Sequence, residues 1–353
     1  MNDSMNPAFN IKDKCIGDGN PCYVIAEMSA NHGGGFESAI EIIHAAKESG
    51  ADCIKIQTYT ADTLTINSDK EIFQIKNGTW EGENLYNLYE RAYTPWEWQE
   101  SLKNEAEKIG LDFLSTPFDA SAVDFLNKLG VDFYKIASFE LIDIPLIKYI
   151  ASQGKPIIMS TGMGTLGEIE EAVNTVKAMG NENLCLLRCS SAYPAVPEDM
   201  NLKTIPHMKE SFGCPVGLSD HSLGSISAIA AIATGANVIE KHFCLSRDIP
   251  TPDSSFSMEP AEFKQMVDDI RTTERAMGKI DYSISDRENE SKIFRKSIFV
   301  VSDIKQGENF TAENIRVIRP ANGIHPRHYF EILGHRATKD VERGTPLQWN
   351  MVD

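Results

Sequence analysis

The sequence predicts an α/β protein in which a (β/α)8 TIM barrel precedes a smaller β-rich domain. The first observation is that eight short apolar runs alternate with longer amphipathic helical stretches between residues 22 and 243. Such alternation is typical of βαβ units with right-handed crossovers and a parallel sheet. The second is the number of units, eight, which is that of a closed barrel. The third is the length of 353 residues, which exceeds a barrel of roughly 250 residues and leaves room for a second module.

The predicted strands are short and rich in β-branched and other apolar residues. They are, in order, CYVIAE (22–27), DCIKIQT (52–58), DFLST (112–116), DFYKIAS (132–138), PIIMST (156–161), LCLLRCS (184–190), PVGLS (215–219) and NVIEKHF (237–243). The main alternative is an open doubly wound sheet that binds a nucleotide. It is disfavoured because no GxGxxG follows the first strand; GDGN (17–20) precedes it, and GGG (33–35) lacks the pattern.

Helical periodicity fills the segments between the strands. Examples are FESAIEIIHAAKESG (36–50), PWEWQESLKNEAEKIG (95–110), SAVDFLNKLG (121–130) and LGEIEEAVNTVKAMG (166–180). Each of these segments ends in glycine, as expected for a left-handed residue that terminates a helix. Residues 60–92 form a long excursion after the second strand and include Trp80, Tyr86 and Tyr89. An insertion at that end of a strand is more often part of an active-site rim than of the scaffold.

A polar stretch that breaks the periodicity, KIDYSISDRENESK (279–292), reads as a linker. We therefore predict a barrel domain at 1–280, a linker at 281–293 and a second domain at 294–353. The second domain is near the lower size limit for an independent core and is expected to lean on another surface. From Phe294 onward the chain has 9 Lys/Arg and 7 Asp/Glu, so this part carries +2 within a chain of net charge −17.

Bulk properties exclude several classes of protein. The net charge argues against nonspecific nucleic-acid binding. No apolar run approaches the ~20 residues that cross a bilayer, and the start carries no apolar signal segment, so we expect a cytoplasmic protein with no membrane partner. The seven cysteines include no CxxC pair and are expected to be reduced thiols.

Polar residues end all eight predicted strands. In a parallel barrel these ends converge on one mouth, where the chemistry of such folds is found. The residues are Glu27 with Asn31 and His32, Lys55 with Gln57, Thr116, Lys135 with Ser138, Ser160 with Thr161, Ser190 and Ser191 with Tyr193, Ser219 with Asp220 and His221, and Lys241 with His242. Each alone has a structural explanation, such as an ion pair or a helix cap. Together, three lysines and many hydroxyls predict a site for a small anionic ligand rich in oxygen.

His221 and His242 end the last two strands, so they are candidates to share a metal ion. A lone histidine is more often a satisfied core group, and the pairing is the informative part. Imidazole and oxygen ligands without thiolate favour Mn²⁺ or Mg²⁺ over structural zinc. The remaining coordination positions of the metal ion would be open to water and substrate.

Eight segments, in this order, resemble the sialic acid synthase family. They are IAEMSANH (25–32), IKIQTYT (54–60), STPFD (115–119), YKIASFE (134–140), STGM (160–163), CSSAYP (189–194), GLSDHS (217–222) and IEKHF (239–243). The tail DIKQGENFTAENIRVIRPANGI (303–324) resembles the antifreeze-like (SAF) C-terminal domain of that family. EMSANH, AYTPWEW (92–98) and CSSAYP are most similar to its pseudaminic acid synthase branch, and Ser191 stands where N-acetylneuraminate synthases typically carry Asn.

The resemblance implies condensation of phosphoenolpyruvate with 2,4-diacetamido-2,4,6-trideoxy-L-altrose and water, assisted by a divalent metal, to give pseudaminic acid and phosphate. It implies that His221 and His242 bind the metal and that Glu27, Glu140 and Tyr193 act in catalysis. The implied substrate-binding residues are Lys55, Gln57, Thr116, Lys135, Ser138, Ser160, Ser191, Ser219, Asp253 and Arg319. Glu27 is the first candidate for proton transfer and Glu140 the second.

The resemblance also implies a domain-swapped homodimer. Arg319, in the motif RPANG, matches the family arginine that enters the barrel mouth of the partner subunit and contacts the acyl group of the sugar. A small, slightly basic tail fits that arrangement.

Three alternatives remain open on the sequence. The acceptor could be that of an N-acetylneuraminate or legionaminic acid synthase. A Schiff-base pyruvate aldolase would use Lys55, Lys135 or Lys241 as a desolvated nucleophile. The third alternative is an inert barrel that carries an ice- or carbohydrate-binding tail.

Overall fold

The computed structural model describes residues 7–353. The chain divides into two compact units, one that ends at Gly278 and one that runs from Lys279 to Asp353. Within residues 7–353, no helix is both long enough and apolar enough to cross a lipid bilayer. All seven cysteines are free, as predicted.

The first unit begins with an antiparallel hairpin and continues as a parallel barrel. The hairpin strands are β1 (Ala8–Ile11) and β2 (Lys14–Gly17). The barrel strands are β3 (Tyr23–Glu27), β4 (Cys53–Thr58), β5 (Asp112–Pro117), β6 (Tyr134–Ile136), β7 (Ile157–Ser160), β8 (Leu184–Cys189), β9 (Val216–Asp220) and β10 (Val238–His242). Their order in the sheet is β5-β4-β3-β10-β9-β8-β7-β6, and the end strands β5 and β6 lie side by side. All eight predicted strands are therefore present, and the predicted barrel is confirmed.

Helices surround the barrel strands. They are α1 (Phe36–Glu48), α2 (Ala61–Leu64), α3 (Leu85–Ala92), α4 (Trp96–Lys108), α5 (Ala120–Leu129), α6 (Ile144–Ala151), α7 (Leu166–Ala178), α8 (Pro197–Met200), α9 (Thr204–Phe212), α10 (Ile226–Ala233) and α11 (Pro260–Met277). The four helical segments predicted from periodicity correspond to α1, α4, α5 and α7. The predicted terminal glycines Gly50, Gly110, Gly130 and Gly180 all have positive φ, which glycine adopts without a steric penalty.

The barrel interior has an apolar lower half. Successive side chains on a strand point to opposite faces, and outward residues such as Val24 and Ile54 pack with the helices in one large core. Inward residues at the amino ends of the strands, including Tyr23 and Leu187, form a second buried cluster. The hairpin, which the sequence did not predict, contributes Phe9, Ile11 and Ile16 to that cluster. The lower half of the barrel is thereby filled, and only the upper half is left for a site.

The second unit contains one small antiparallel sheet. Its strands are β11 (Ser297–Val300) and β12 (Ile315–Ile318), and its helices are α12 (Asp286–Ser291) and α13 (Tyr329–Ile332). Helix α12 lies in the stretch predicted as a linker and begins at a capping box of Ser285 and Glu288. Buried residues such as Ile298, Phe310 and Leu347 form a core of this unit's own.

Candidate active site

Polar side chains line the upper half of the barrel, at the carboxyl ends of the strands. On β3, Tyr23 and Ile25 lie in the apolar lower cluster, and Glu27 follows them on the same face. The same alternation brings Lys55, Gln57, Thr116, Lys135, Ser160, Ser219, Glu240 and His242 inward on the other strands. Fully buried polar groups at one level of a barrel are expected to be paired with one another.

Two lysines and two glutamates form the centre of this level. Lys55 Nζ lies 3.3 Å from Glu27 Oε2 and 2.9 Å from Glu240 Oε1. Lys135 Nζ lies 3.6 Å from the same Glu240 oxygen and donates to Ser160 Oγ at 2.7 Å. All four charged side chains are buried. The network therefore balances two buried cations with two buried carboxylates.

Burial and neighbouring charges shift the pKa values of these groups apart. Burial raises the pKa of Glu27 above its usual value, although Lys55 opposes the shift. Burial alone would also raise the pKa of Glu240, but Lys135 and Lys55 hold it well below its usual value. Burial lowers the pKa of Lys135 to about 8, against the attraction of Glu240. One carboxylate is thus able to take up a proton near neutral pH, and the other stays ionised.

A second cluster lies at the ends of β6, β7 and β8. The backbone N–H of Gly162 donates to Ser138 Oγ at 3.0 Å. A Cβ on Gly162 would lie 2.2 Å from Ser191 Oγ and 2.7 Å from Ser138 Oγ. Glycine at this position is what allows the two hydroxyls to approach the turn, which suits the binding of an anion.

Two further predicted site residues carry polar atoms that have no partner among the described residues. Thr116 Oγ1 and Glu140 Oε2 are buried and make no hydrogen bond with the described part of the chain. Burial raises the pKa of Glu140 to about 7. Buried polar atoms without partners are uncommon and are a feature of sites that await a ligand.

The two histidines lie together under aromatic side chains. The ring centroids of His221 and His242 are 5.3 Å apart, and Tyr193 packs 4.2 Å from His221. Phe256 lies 5.0 Å from His242. In the sheet, His242 is paired in register with Glu27, which in turn contacts Lys55. The structure therefore brings the histidines and the lysine network together at one end of the barrel.

The imidazoles have nitrogens available for a cation. His221 Nδ1 lies 2.8 Å from the carbonyl oxygen of Ser190, which can only accept, so Nδ1 carries a proton and Nε2 is the nitrogen that offers a lone pair when the ring is neutral. His242 Nδ1 is buried without a partner among the described residues. Burial, reinforced by the charge of His221, lowers the pKa of His242 well below its usual value. Within residues 7–353, no group of three or more His, Cys, Asp or Glu side chains is arranged to hold a metal. The two imidazoles alone are fewer ligands than a metal ion takes, so an ion held here would draw its other ligands from substrate and water.

The insertion at 60–92 covers this mouth, as predicted. The Trp80 ring lies 5.6 Å from that of Tyr193, and Trp80 Nε1 donates to the carbonyl of Pro252 at 2.9 Å. Tyr86 and Tyr89 of the insertion make other contacts: Tyr86 donates to Asp62, and Tyr89 packs on Tyr59.

Several predicted strand-end residues have structural roles instead. The prediction that Lys241 points into the barrel was wrong. Lys241 lies on the outer face of β10, where its Nζ is 2.7 Å from Asp220 Oδ2. Thr161 donates to the carbonyl of Leu187. Asn31 donates to the carbonyl of Phe243.

The remaining predicted residues are placed as follows. Asp253 accepts a hydrogen bond from the backbone N–H of Ala30 at 3.1 Å and so holds the turn after Glu27. Gln57 Nε2 donates to Glu27 Oε1 at 3.1 Å. Arg319 is exposed and follows β12 in the second unit. Glu240, which forms ion pairs with both lysines, was not among the predicted site residues.

The comparisons with known proteins agree with this geometry. Residues 42–282 match the NeuB family, and residues 295–353 match the SAF domain. The chain belongs to the NeuB family. It is 46% identical to a pseudaminic acid synthase of Campylobacter jejuni over 92% of this chain and 95% of that protein. It is 38% identical to an N,N'-diacetyllegionaminic acid synthase of Legionella pneumophila over 94% and 95% of the two chains.

The NeuB fold is also present among solved structures. The N-acetylneuraminic acid (sialic acid) synthetase of Leptospira borgpetersenii, in complex with citrate, superposes with a TM-score of 0.73 and is 31% identical. The match covers 81% of this chain and 95% of that one. The predicted resemblance to sialic acid synthases and the predicted SAF domain are thus confirmed.

Proposed function

We propose that the chain is a pseudaminic acid synthase. It condenses phosphoenolpyruvate with 2,4-diacetamido-2,4,6-trideoxy-L-altrose and water to give pseudaminic acid and inorganic phosphate. The observation that carries the proposal is the pair of buried ammonium groups, Lys55 and Lys135, at the closed end of a mouth lined by hydroxyls. The higher identity to a pseudaminic acid synthase than to a legionaminic acid synthase supports this acceptor.

Phosphoenolpyruvate carries a phosphate and a carboxylate on three carbons, and the site offers matching groups. Lys55 and Lys135 neutralise the negative charge, and the hydroxyls of Thr116, Ser138, Ser160 and Ser191 donate to its oxygens. Ser219 lies beside Lys55 and Lys135, and its hydroxyl donates to Glu240. The backbone turn at Gly162 brings Ser138 and Ser191 to the same point. Charge-assisted hydrogen bonds of this kind are stronger than neutral ones.

The reaction forms a carbon–carbon bond between C3 of phosphoenolpyruvate and the aldehyde carbon of the open-chain sugar. The aldehyde oxygen gains a proton, and water adds at C2 and loses one. The tetrahedral intermediate then expels phosphate by C–O cleavage and leaves the ketone. Glu27 handles the proton of the water or the sugar hydroxyl, because burial raises its pKa. Gln57, which donates to Glu27, and Tyr193 position the reactants.

We place a divalent ion, Mn²⁺ or Mg²⁺, on His221 and His242. When bound, such an ion supplies positive charge where negative charge develops on the aldehyde oxygen. The imidazoles are suited to this because burial lowers the pKa of His242 well below its usual value, and because the neutral ring of His221 directs Nε2 away from the Ser190 carbonyl. His221 and His242 would hold the ion, and oxygen atoms of substrate and water would suit its remaining positions.

We also propose that the active form is a domain-swapped homodimer. Large apolar side chains are more than half exposed on the loops and helix starts that follow β6, β7 and β9, at the same end of the barrel as the site. They are Phe139, Ile142, Leu166, Leu223 and Ile226. Such a patch is typical of a protein interface, and a second copy would cover it. Arg319 of one chain then contacts the acyl group of the sugar bound to the other.

The proposal is tested by phosphate release from phosphoenolpyruvate with three acceptors side by side. We expect the altrose-derived acceptor to give the highest kcat/KM, above N-acetylmannosamine and the legionaminic precursor. A higher kcat/KM with N-acetylmannosamine or with the legionaminic precursor would assign the chain to another branch of the family. No phosphate release with any acceptor would contradict the synthase itself.

A Schiff-base pyruvate aldolase is the second candidate, because burial lowers the pKa of Lys135 to about 8 and so favours a free amine. Treatment with pyruvate and borohydride distinguishes the two. A covalent adduct on Lys135 would support the aldolase, whereas activity that is lost in chelator and restored by Mn²⁺ would support the metal-assisted synthase.

A further inference from the structure

One oxygen of Glu240 connects three other strands of the barrel. Its Oε1 lies 2.9 Å from Lys55 Nζ on β4 and 3.6 Å from Lys135 Nζ on β6, and it accepts from Ser219 Oγ on β9 at 3.0 Å. The other oxygen, Oε2, is buried and has no partner in the described part of the chain. A single carboxylate therefore fixes both ammonium groups that face the anion site.

We propose that Glu240 is a positioning residue that keeps Lys55 and Lys135 protonated and aims them at phosphoenolpyruvate. This inference rests on the function proposed above. Glu240 acts through the lysines, and no bond of the reaction is made or broken on it.

The physical reason is the cost of keeping two ammonium groups side by side in a buried site. Burial and the charge of Lys55 both disfavour protonation of Lys135. The groups that oppose this are Glu240 first, then the more distant Cys189 and Glu27. Glu140 also lies within electrostatic range of Lys135. Of these, only Glu240 forms an ion pair with Lys135, so its charge is the one that matters most.

Glu27 cannot replace Glu240 in this role. Of the two lysines it contacts only Lys55, at 3.3 Å, whereas Glu240 pairs with both. A carboxylate that exchanges protons during the reaction is a poor permanent counter-ion. The two glutamates therefore have different roles: Glu27 exchanges protons, and Glu240 holds both ammonium groups in place.

The decisive variant is Glu240→Gln, which keeps the shape and removes the charge. We expect the affinity for phosphoenolpyruvate at neutral pH to fall by about tenfold or more. We also expect the pH above which binding weakens to fall by about one unit, because Lys135 loses its proton earlier. Binding is measured by titration calorimetry across pH in the presence of Mn²⁺. A binding profile that overlays that of the wild type would overturn the proposal.

Two further variants separate positioning from simple structural damage. Glu240→Asp keeps the negative charge but moves it away from the lysines. The affinity for phosphoenolpyruvate should therefore fall, while the pH above which binding weakens should stay near that of the wild type. Asp220→Asn breaks the neighbouring buried pair with Lys241 on the outer face; it should lower Tm without moving that limit. A shift as large in Asp220→Asn as in Glu240→Gln would contradict the proposal.

If the glutamine variant does not fold, the aspartate variant decides alone. Wild-type affinity in Glu240→Asp would then refute positioning, because the retracted carboxylate cannot keep both contacts. Failure of the proposed function gives a different result, since the wild-type protein itself would then neither bind phosphoenolpyruvate nor release phosphate from it.

Discussion

Lys135 Nζ donates to Ser160 Oγ at 2.7 Å inside the barrel, and burial lowers the pKa of the lysine to about 8. Only the protonated amine offsets the charge of a bound phosphate or carboxylate. We therefore expect the wild-type affinity for phosphoenolpyruvate to be level below about pH 8 and to fall by up to about tenfold per unit above it. Titration calorimetry over that range measures this. Affinity that stays level to about pH 10 would contradict the assignment.

The same lysine predicts how stability depends on pH. Its folded pKa, about 8, lies below the ordinary value of 10.5, so between these values the unfolded chain binds more protons. The contribution of Lys135 to stability is therefore complete above about pH 10.5 and is lost as pH falls through about 8. Thermal melts of the wild type and of Lys135→Met, compared across pH, isolate this contribution. The difference in Tm should narrow towards high pH, and a constant difference would contradict the shift.

Gly162→Ala should damage anion binding more than stability. The new Cβ would lie 2.2 Å from Ser191 Oγ and 2.7 Å from Ser138 Oγ, so at least one hydroxyl must move. We expect the KM for phosphoenolpyruvate to rise by about tenfold, equivalent to the loss of one good hydrogen bond. The matched control is Gly167→Ala in α7, where a Cβ meets open space. That change should leave KM unaltered and stabilise the helix by up to about 1 kcal/mol. An unaltered KM in both variants would remove Gly162 from the site.

His242→Ala should lower metal affinity and abolish turnover while the fold is retained. The imidazole is a proposed ligand, and its Nδ1 has no partner among the described residues. Mn²⁺ binding by calorimetry, turnover and circular dichroism are measured together. His44→Ala is the control, because His44 pairs with Glu105 on the outside of the barrel. Turnover at the wild-type rate in His242→Ala would eliminate the proposed metal site.

Mixing Arg319→Ala with Glu27→Ala subunits should restore some activity. Each variant is expected to be inactive alone, but a swapped mixed dimer has one mouth in which both groups are intact. Phosphate release is measured after subunit exchange, and exchange is verified with differently tagged chains. An inactive mixture that nevertheless contains mixed dimers would refute the swapped arrangement.

The barrel was predictable because its signals are local. Each strand is a short apolar run, and each of the four predicted helices has its own periodicity and terminal glycine. The hairpin β1–β2 was missed because its strands have only four residues each, AFNI and KCIG. Their apolar residues are buried only by packing against the lower end of the closed barrel, and a local sequence pattern does not reveal that contact.

The site was predictable where chemistry follows strand ends, and Lys241 shows where that reasoning failed. If His242 points inward, then alternation places Lys241 outward and Glu240 inward. Applying this alternation to the sequence would have predicted Glu240, and not Lys241, as a residue of the site. The approach of Ser138 and Ser191 to Gly162 could not be predicted in this way, because it depends on how three separate strand ends are placed.

The hairpin gives the barrel one blind end. Phe9, Ile11 and Ile16 fill the space beneath the inward side chains of the strands, so no passage runs through the cylinder. Both reactants must enter, and both products depart, by a single doorway. For phosphoenolpyruvate bound at the buried lysines, we expect entry before the sugar and release of inorganic phosphate after the nonulosonic acid.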